Sequence, residues 1–124
     1  MGNLNGTRVF LVDDDASVRK ATRRLLAAAG HDSRDFASGR EFLDTVPPET
    51  KGVLVLDLRM PEMDGFALQR RLTELNSPLK VILATAYVQP GDREQGLGAG
   101  AIGFLVKPFM DVDLLGLVES GLGA

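Results

Sequence analysis

Val53-Leu54-Val55-Leu56-Asp57 is a run of four continuous apolar residues closed by a carboxylate. It does not alternate with polar residues, and two of the four are β-branched. A run of this length and type suits a strand buried on both faces, as in a parallel sheet covered by helices. Asp57 then ends a buried strand, where a carboxylate is costly unless it is paired. That residue is the first candidate for chemistry.

Working outward, residues 9–12, 81–84 (with Leu79 ahead) and 101–106 repeat the pattern. Each run ends on polar groups: Asp13, Asp14 and Asp15 after the first, Thr85 after the third, Lys107 after the fourth. A weaker segment, residues 32–36, reads as an edge strand beside the first. Helical patterns lie between the runs. Val18, Thr22, Leu25, Leu26 and Ala29 share a face at 3.6-residue spacing, with Gly30 as the stop. Residues 64–75 and 111–122 read as amphipathic helices. Residues 38–46 read as a shorter one, with Ser38 and Glu41 at capping-box spacing. Five strands alternating with five helices indicate an α/β fold built from βαβ units.

The chain has 124 residues and a mass of 13.3 kDa. That is the size of one domain, here residues 1–124 with a core of about 7–122. Hydrophobic residues make up 44% and charged residues 25%, the balance of a folded rather than a disordered chain. A net charge of −3 argues against direct nucleic acid binding, which rests on a basic footprint. With no Cys and one His, thiolate and multi-His metal sites within the chain are excluded. No apolar run is long enough to span a bilayer, and no signal peptide is evident at Met1 to Phe10. Gly2 lacks the Ser or Thr at position 6 that a myristoylation signal wants, since Gly6 stands there. The expected compartment is the cytoplasm, with no membrane partner. The final Gly-Leu-Gly-Ala reads as a fraying end or a cut site.

In an open α/β sheet, ligands bind outside the carboxyl ends of the strands. Every strong strand here delivers a polar group to that edge. Clustered carboxylates repel one another and need a cation, and an all-oxygen donor set selects a hard one. Mg²⁺ fits, with Mn²⁺ as its substitute, because it accepts one or two carboxylates together with a phosphate. An ammonium and a hydroxyl beside such an ion can hold phosphoryl oxygens, and a carboxylate can act as nucleophile.

Four ordered motifs carry a family resemblance: Val12-Asp13-Asp14-Asp15, then Leu56-Asp57-Leu58-Arg59-Met60-Pro61-Glu62-Met63-Asp64-Gly65, then Ala84-Thr85-Ala86, then Lys107-Pro108-Phe109. Together they resemble the receiver domain of two-component response regulators, over about residues 7–118. The second motif is most similar to the FixJ-type branch, whose members usually carry a C-terminal DNA-binding domain. The resemblance implies a flavodoxin-like, doubly wound parallel sheet of order 2-1-3-4-5. It implies that Asp57 accepts a phosphoryl group from a sensor histidine kinase. Asp13, Asp14, Asp57 and the backbone carbonyl of Arg59 would hold the metal. Thr85 and Lys107 would bind the phosphoryl group, and Phe104 would be the aromatic switch. The Lys107–Pro108 bond would be cis. Arg59 and Tyr87 would tune dephosphorylation, a bulky Tyr87 shielding the bond from water. A phosphorylation-dependent homodimer through the face of the fourth helix, fifth strand and fifth helix is a possible response. The output would be transcription, through a C-terminal domain.

Several residues carry a second reading. Asp15 is read as the cap of the first helix rather than as a metal ligand. Thr85 could also cap the following helix. Arg19, Lys20, Arg23 and Arg24 are read as a solvated helix face, with kinase docking as the alternative. His31 is read as an exposed loop residue. Gly91, Gly96, Gly98 and Gly100 crowd the fourth helix. Interior glycine costs about 1 kcal/mol relative to alanine, so that helix is expected to be short, frayed or mobile. Other classes fit less well. A stand-alone receiver acting through protein contacts remains open, and a phosphorylation-independent receiver would lack one of the site groups. An aspartate-nucleophile phosphatase would place its nucleophile after the first strand and carry a cap domain. A flavodoxin-like cofactor binder would want a phosphate loop where three acids stand, and no GxxxxGK[ST] loop is present. The domain is therefore read as a switch that catalyses only its own phosphorylation and dephosphorylation, not as an enzyme with an external product.

Overall fold

The structure is a computed structural model and describes residues 6–123. Gly2 and the start of the chain, read above for lipidation and signal patterns, lie outside those residues, as does Ala124. Strands and helices alternate throughout: β1 (Val9–Val12), α1 (Ala16–Ala28), β2 (Ser33–Phe36), α2 (Gly39–Thr45), β3 (Val53–Asp57), α3 (Gly65–Glu74), β4 (Lys80–Thr85), α4 (Asp92–Gly98), β5 (Gly103–Val106) and α5 (Asp111–Gly121). The five strands form one parallel sheet of order β2-β1-β3-β4-β5.

The continuous apolar strands are explained by two separate cores. Phe10, Val12, Leu54, Leu56, Val81 and Leu83 face one side, where Phe42 of α2 and Phe66, Leu68 and Leu72 of α3 meet them. Val9, Leu11, Val53, Val55 and Ile82 face the other, against Leu26 of α1 and Leu114 and Val118 of α5. Alternate residues of one strand thus serve opposite cores, so no position is left for a polar residue until the strand ends.

Side-chain caps fix three helix starts. Asp15 accepts hydrogen bonds from the Ser17 and Val18 amides, at 2.9 and 3.2 Å. The Ser38 hydroxyl accepts from the Glu41 amide, and the Glu41 carboxylate accepts in turn from the Ala37 amide. Asp64 accepts from the Ala67 amide at 2.8 Å. Gly65, next in line, is required by close approach. A Cβ there would stand 2.8 Å from the Asp57 carbonyl oxygen and 2.9 Å from Leu58 Cα.

The structure corrects four expectations. Thr85 belongs to β4, and α4 begins only after Gly91, so Thr85 does not cap that helix. Residues 101 and 102 precede β5 instead of joining it. His31 is half-buried rather than exposed, its Nε2 3.7 Å from Glu119 of α5, because the α1 C-terminus folds back there and the His31 amide bonds to the Leu26 carbonyl. Arg19 and Arg23 are not merely solvated. Both pair with Asp35, and Arg23 also donates to the Ser33 carbonyl, since α1 lies along β2.

Helix α4 is short, as its glycines led one to expect. It has seven residues, no side-chain cap, and only Asp92 and Gly96 buried. The sequence reading missed that Gly96 is needed. A Cβ at that position would run into Leu83, which is fully buried.

Candidate functional site

The register of β1 on β3 pairs Val12 with Leu56, which sets Asp13, just past β1, beside Asp57, the last residue of β3. Asp13 and Asp57 are each 7% exposed, whereas Asp14 is open to solvent. One carboxylate oxygen from each of the three lies within 4.8 Å of the other two. Lys107, just past β5, reaches across to this cluster. Its Nζ stands 2.6 Å from Asp13 Oδ2 and 3.5 Å from Asp57 Oδ1.

Asp13 is held on every side. Its Oδ1 accepts from the Asp15 amide at 2.9 Å, and its backbone carbonyl accepts from Arg19 Nη1 at 2.7 Å. No pattern in the sequence marks this Arg19 contact, because a basic residue on an amphipathic helix reads as solvent-facing. Thr85 is fully buried, and its Oγ1 accepts from the Tyr87 amide at 3.1 Å. Its carbonyl accepts from the Lys107 amide, so the ends of β4 and β5 are pinned together. The Lys107–Pro108 peptide bond is cis. Phe104 is buried in the core beneath α4, near Gly96.

Arg59 lies on the loop after β3, two residues past Asp57. Its guanidinium pairs with Asp92, the first residue of α4, and its Nε donates to the Tyr87 carbonyl at 3.4 Å. Tyr87 is 75% exposed, and it meets the site through its backbone. Asp92 was not singled out from the sequence. An acid in the first turn of a helix reads as an ordinary partner of the helix dipole, and its true partner is 33 residues away.

The electrostatics follow from this packing. Burial, and then the nearby Asp13 carboxylate, lift the Asp57 pKa from 3.8 to about 6, with Lys107 pulling the other way. Burial opposes the charge on Lys107, but its bond to Asp13 and its proximity to Asp57 outweigh that and hold its pKa above the usual value. The cluster thus carries more negative charge than one ammonium balances. Its donors are all carboxylate oxygens, which suits a hard dication such as Mg²⁺.

Residues 9–119 match the family described as "Response regulator receiver domain". The chain belongs to the response regulator receiver family. This receiver is 41% identical over 121 residues to the transcriptional regulatory protein TdiR of Thauera aromatica, covering 95% of this chain and 52% of that protein. It is 33% identical to the transcriptional regulatory protein FixJ of Bradyrhizobium diazoefficiens, over 92% of this chain and 56% of that one. The receiver spans about half the length of these curated relatives. Among solved structures it superposes on the response regulator StyR with a TM-score of 0.88 at 42% identity, covering 94% of this chain and 59% of that one. On FixJ-N the TM-score is 0.86 at 32% identity, over 99% of this chain and 96% of that one. Among the described residues no helix is long and apolar enough to cross a membrane.

Proposed function

We propose that this receiver takes a phosphoryl group from the phosphohistidine of a sensor kinase onto Asp57. The observation that carries this is the meeting of the Asp13, Asp14 and Asp57 carboxylates within 4.8 Å, with the Lys107 ammonium against two of them. An Asp57 oxygen attacks phosphorus as the phosphorus–nitrogen bond of the donor breaks, and the leaving imidazole takes up a proton. Asp13, Asp14, Asp57 and the Arg59 carbonyl would hold Mg²⁺ or Mn²⁺, which neutralises phosphoryl oxygens when bound. Lys107 is placed to pair with a phosphoryl oxygen once its bond to Asp57 is released. The Thr85 hydroxyl turns from the Tyr87 amide to the new group, and Phe104 follows it. The domain acts in the cytoplasm and has no external product.

A kinase would dock on the groove of about 690 Å³ between α1 and the Lys107–Phe109 segment, lined by Val18, Ala21, Thr22, Leu25 and Pro108. The output face carries exposed Tyr87, Val88, Leu97 and Val106, apolar surface suited to a phosphorylation-dependent homodimer. The relatives named above as transcriptional regulators are about twice this length, which favours transcriptional output through a C-terminal domain over a stand-alone receiver.

Intact mass after incubation with acetyl phosphate tests the chemistry. One phosphoryl adduct is expected, dependent on Mg²⁺ and absent from Asp57→Asn. An adduct on the variant would move the acceptor elsewhere, and no adduct from either acetyl phosphate or a kinase donor would overturn the reading. Sizing the modified sample then reads the dimer.

A further inference from the structure

Helix α4 has little apolar surface to hold it. Its two buried residues are Asp92 and Gly96, and both are engaged in polar ties. Gln69 of α3 donates to the Gly96 carbonyl at 3.0 Å. Asp92 binds the Arg59 guanidinium and also accepts from the Gln89 amide at 2.8 Å, closing the turn into the helix. The Asp92 side chain is 8% exposed and that of Arg59 is 30% exposed, so Asp92 is the buried partner and Arg59 the part-exposed one. Removing Arg59 is costly because it leaves the Asp92 charge buried without a cation. The N-terminus of α4 is therefore anchored to the loop that carries Asp57, by a side chain rooted two residues from the acceptor.

The Asp57 cluster already has more carboxylates than its ammonium balances. Phosphorylation turns the Asp57 carboxylate into an acyl phosphate, trading one negative charge for about two at neutral pH. A guanidinium is the side chain best matched to phosphoryl oxygens, and Arg59 is one loop away, held on Asp92.

We propose that Asp92 is a positioning residue for Arg59: the pair seats α4 and withholds a second cation from Asp57, and phosphorylation undoes it by competing for the guanidinium. This rests on the phosphoacceptor role proposed for Asp57. It assigns the coupling between that residue and α4 to one ion pair, beside the motion of Thr85 and Phe104.

The test is hydrogen exchange of residues 89–100 in wild type, Asp92→Asn, Arg59→Ala, Arg59→Lys and the Asp92→Asn/Arg59→Ala double variant. Without a donor, each of Asp92→Asn and Arg59→Ala is expected to speed exchange about ten-fold, which is about 1.4 kcal/mol of opening free energy. The double variant should exchange no faster than either, and Arg59→Lys should restore most of the protection. Wild-type exchange in the single variants, or a ten-fold effect that multiplies in the double, would overturn the tether. With acetyl phosphate and Mg²⁺, wild-type α4 should rise to the Arg59→Ala level. The lifetime of the adduct should change in Asp92→Asn but not when Arg59 is already Ala, a readout that a purely structural role would not move. A phosphorylated wild type with unchanged exchange at residues 89–100 would overturn the competition. A wild type that takes up no phosphoryl group would overturn the acceptor role and the competition together, and donor-free exchange would still decide the tether.

Discussion

Helices α3 and α4 do the same topological job and are held in opposite ways. Each follows a strand that delivers a site residue, Asp57 from β3 and Thr85 from β4. Helix α3 has ten residues, a carboxylate cap from Asp64, and buries Gly65, Phe66, Leu68, Gln69 and Leu72. Helix α4 has seven, starts from Gly91 in a left-handed conformation, and buries one acid and one glycine. Apolar burial fixes the α3 side of the site, whereas polar ties that an added charge can outbid hold the α4 side. Asp57 thus sits beside the firmly packed helix and Thr85 beside the weakly packed one, and low-stability elements are the ones that move in switching.

The comparison breaks most visibly in the cores. Leu68→Ala on α3 should lower unfolding free energy by about 3 kcal/mol, since Leu68 is fully buried and leaves a cavity. Leu97→Ala on α4 should change it by less than about 0.5 kcal/mol, because Leu97 lies at the surface. Denaturant titration of both variants checks the pair, and equal losses would mean that α4 is packed as firmly as α3.

Charge sharpens it next. Asp57 has its pKa raised to about 6, so without divalent cation the folded state binds its proton more tightly than the unfolded one. Its ionisation therefore destabilises the fold above pH 6, and the penalty fades as pH falls from 6 through 4, where both states are protonated. Asp57→Asn should raise stability by about 2 kcal/mol at pH 7.5 and by almost nothing at pH 4. Melting at the two pH values reads this, and added Mg²⁺ should narrow the gap at pH 7.5.

A third test lies where α3 meets the end of β3. Gly65→Ala should cost about 1–2 kcal/mol, because the new methyl presses on backbone atoms at Asp57 and Leu58 that cannot rotate away. Phosphoryl uptake from acetyl phosphate should slow with it, since the strain falls on the peptide of Asp57, the proposed acceptor.

The sheet and its polar edge were legible in the sequence because both are local patterns. Each strand is an unbroken apolar run, and the polar residue that ends it marks the edge where chemistry is done. Asp13, Asp57, Thr85 and Lys107 could all be placed this way. The tethers were not legible. Arg59 and Asp92 are 33 residues apart, and Arg19 reaches Asp35 and the Asp13 carbonyl only because α1 lies over β2. Nothing periodic marks such partners. Gly96 shows a different failure, in which propensity reads a weak helix former while packing against Leu83 admits nothing larger.

Lys107 and Asp13 are 94 residues apart in the chain and 2.6 Å apart in space. During synthesis, β1 and β3 emerge and can pair long before β5 exists. Until it does, the carboxylates lack their ammonium, and the site is incomplete. Assembly of the carboxylate and ammonium cluster is thus a late event in the life of the polypeptide, reached only when β5 has docked.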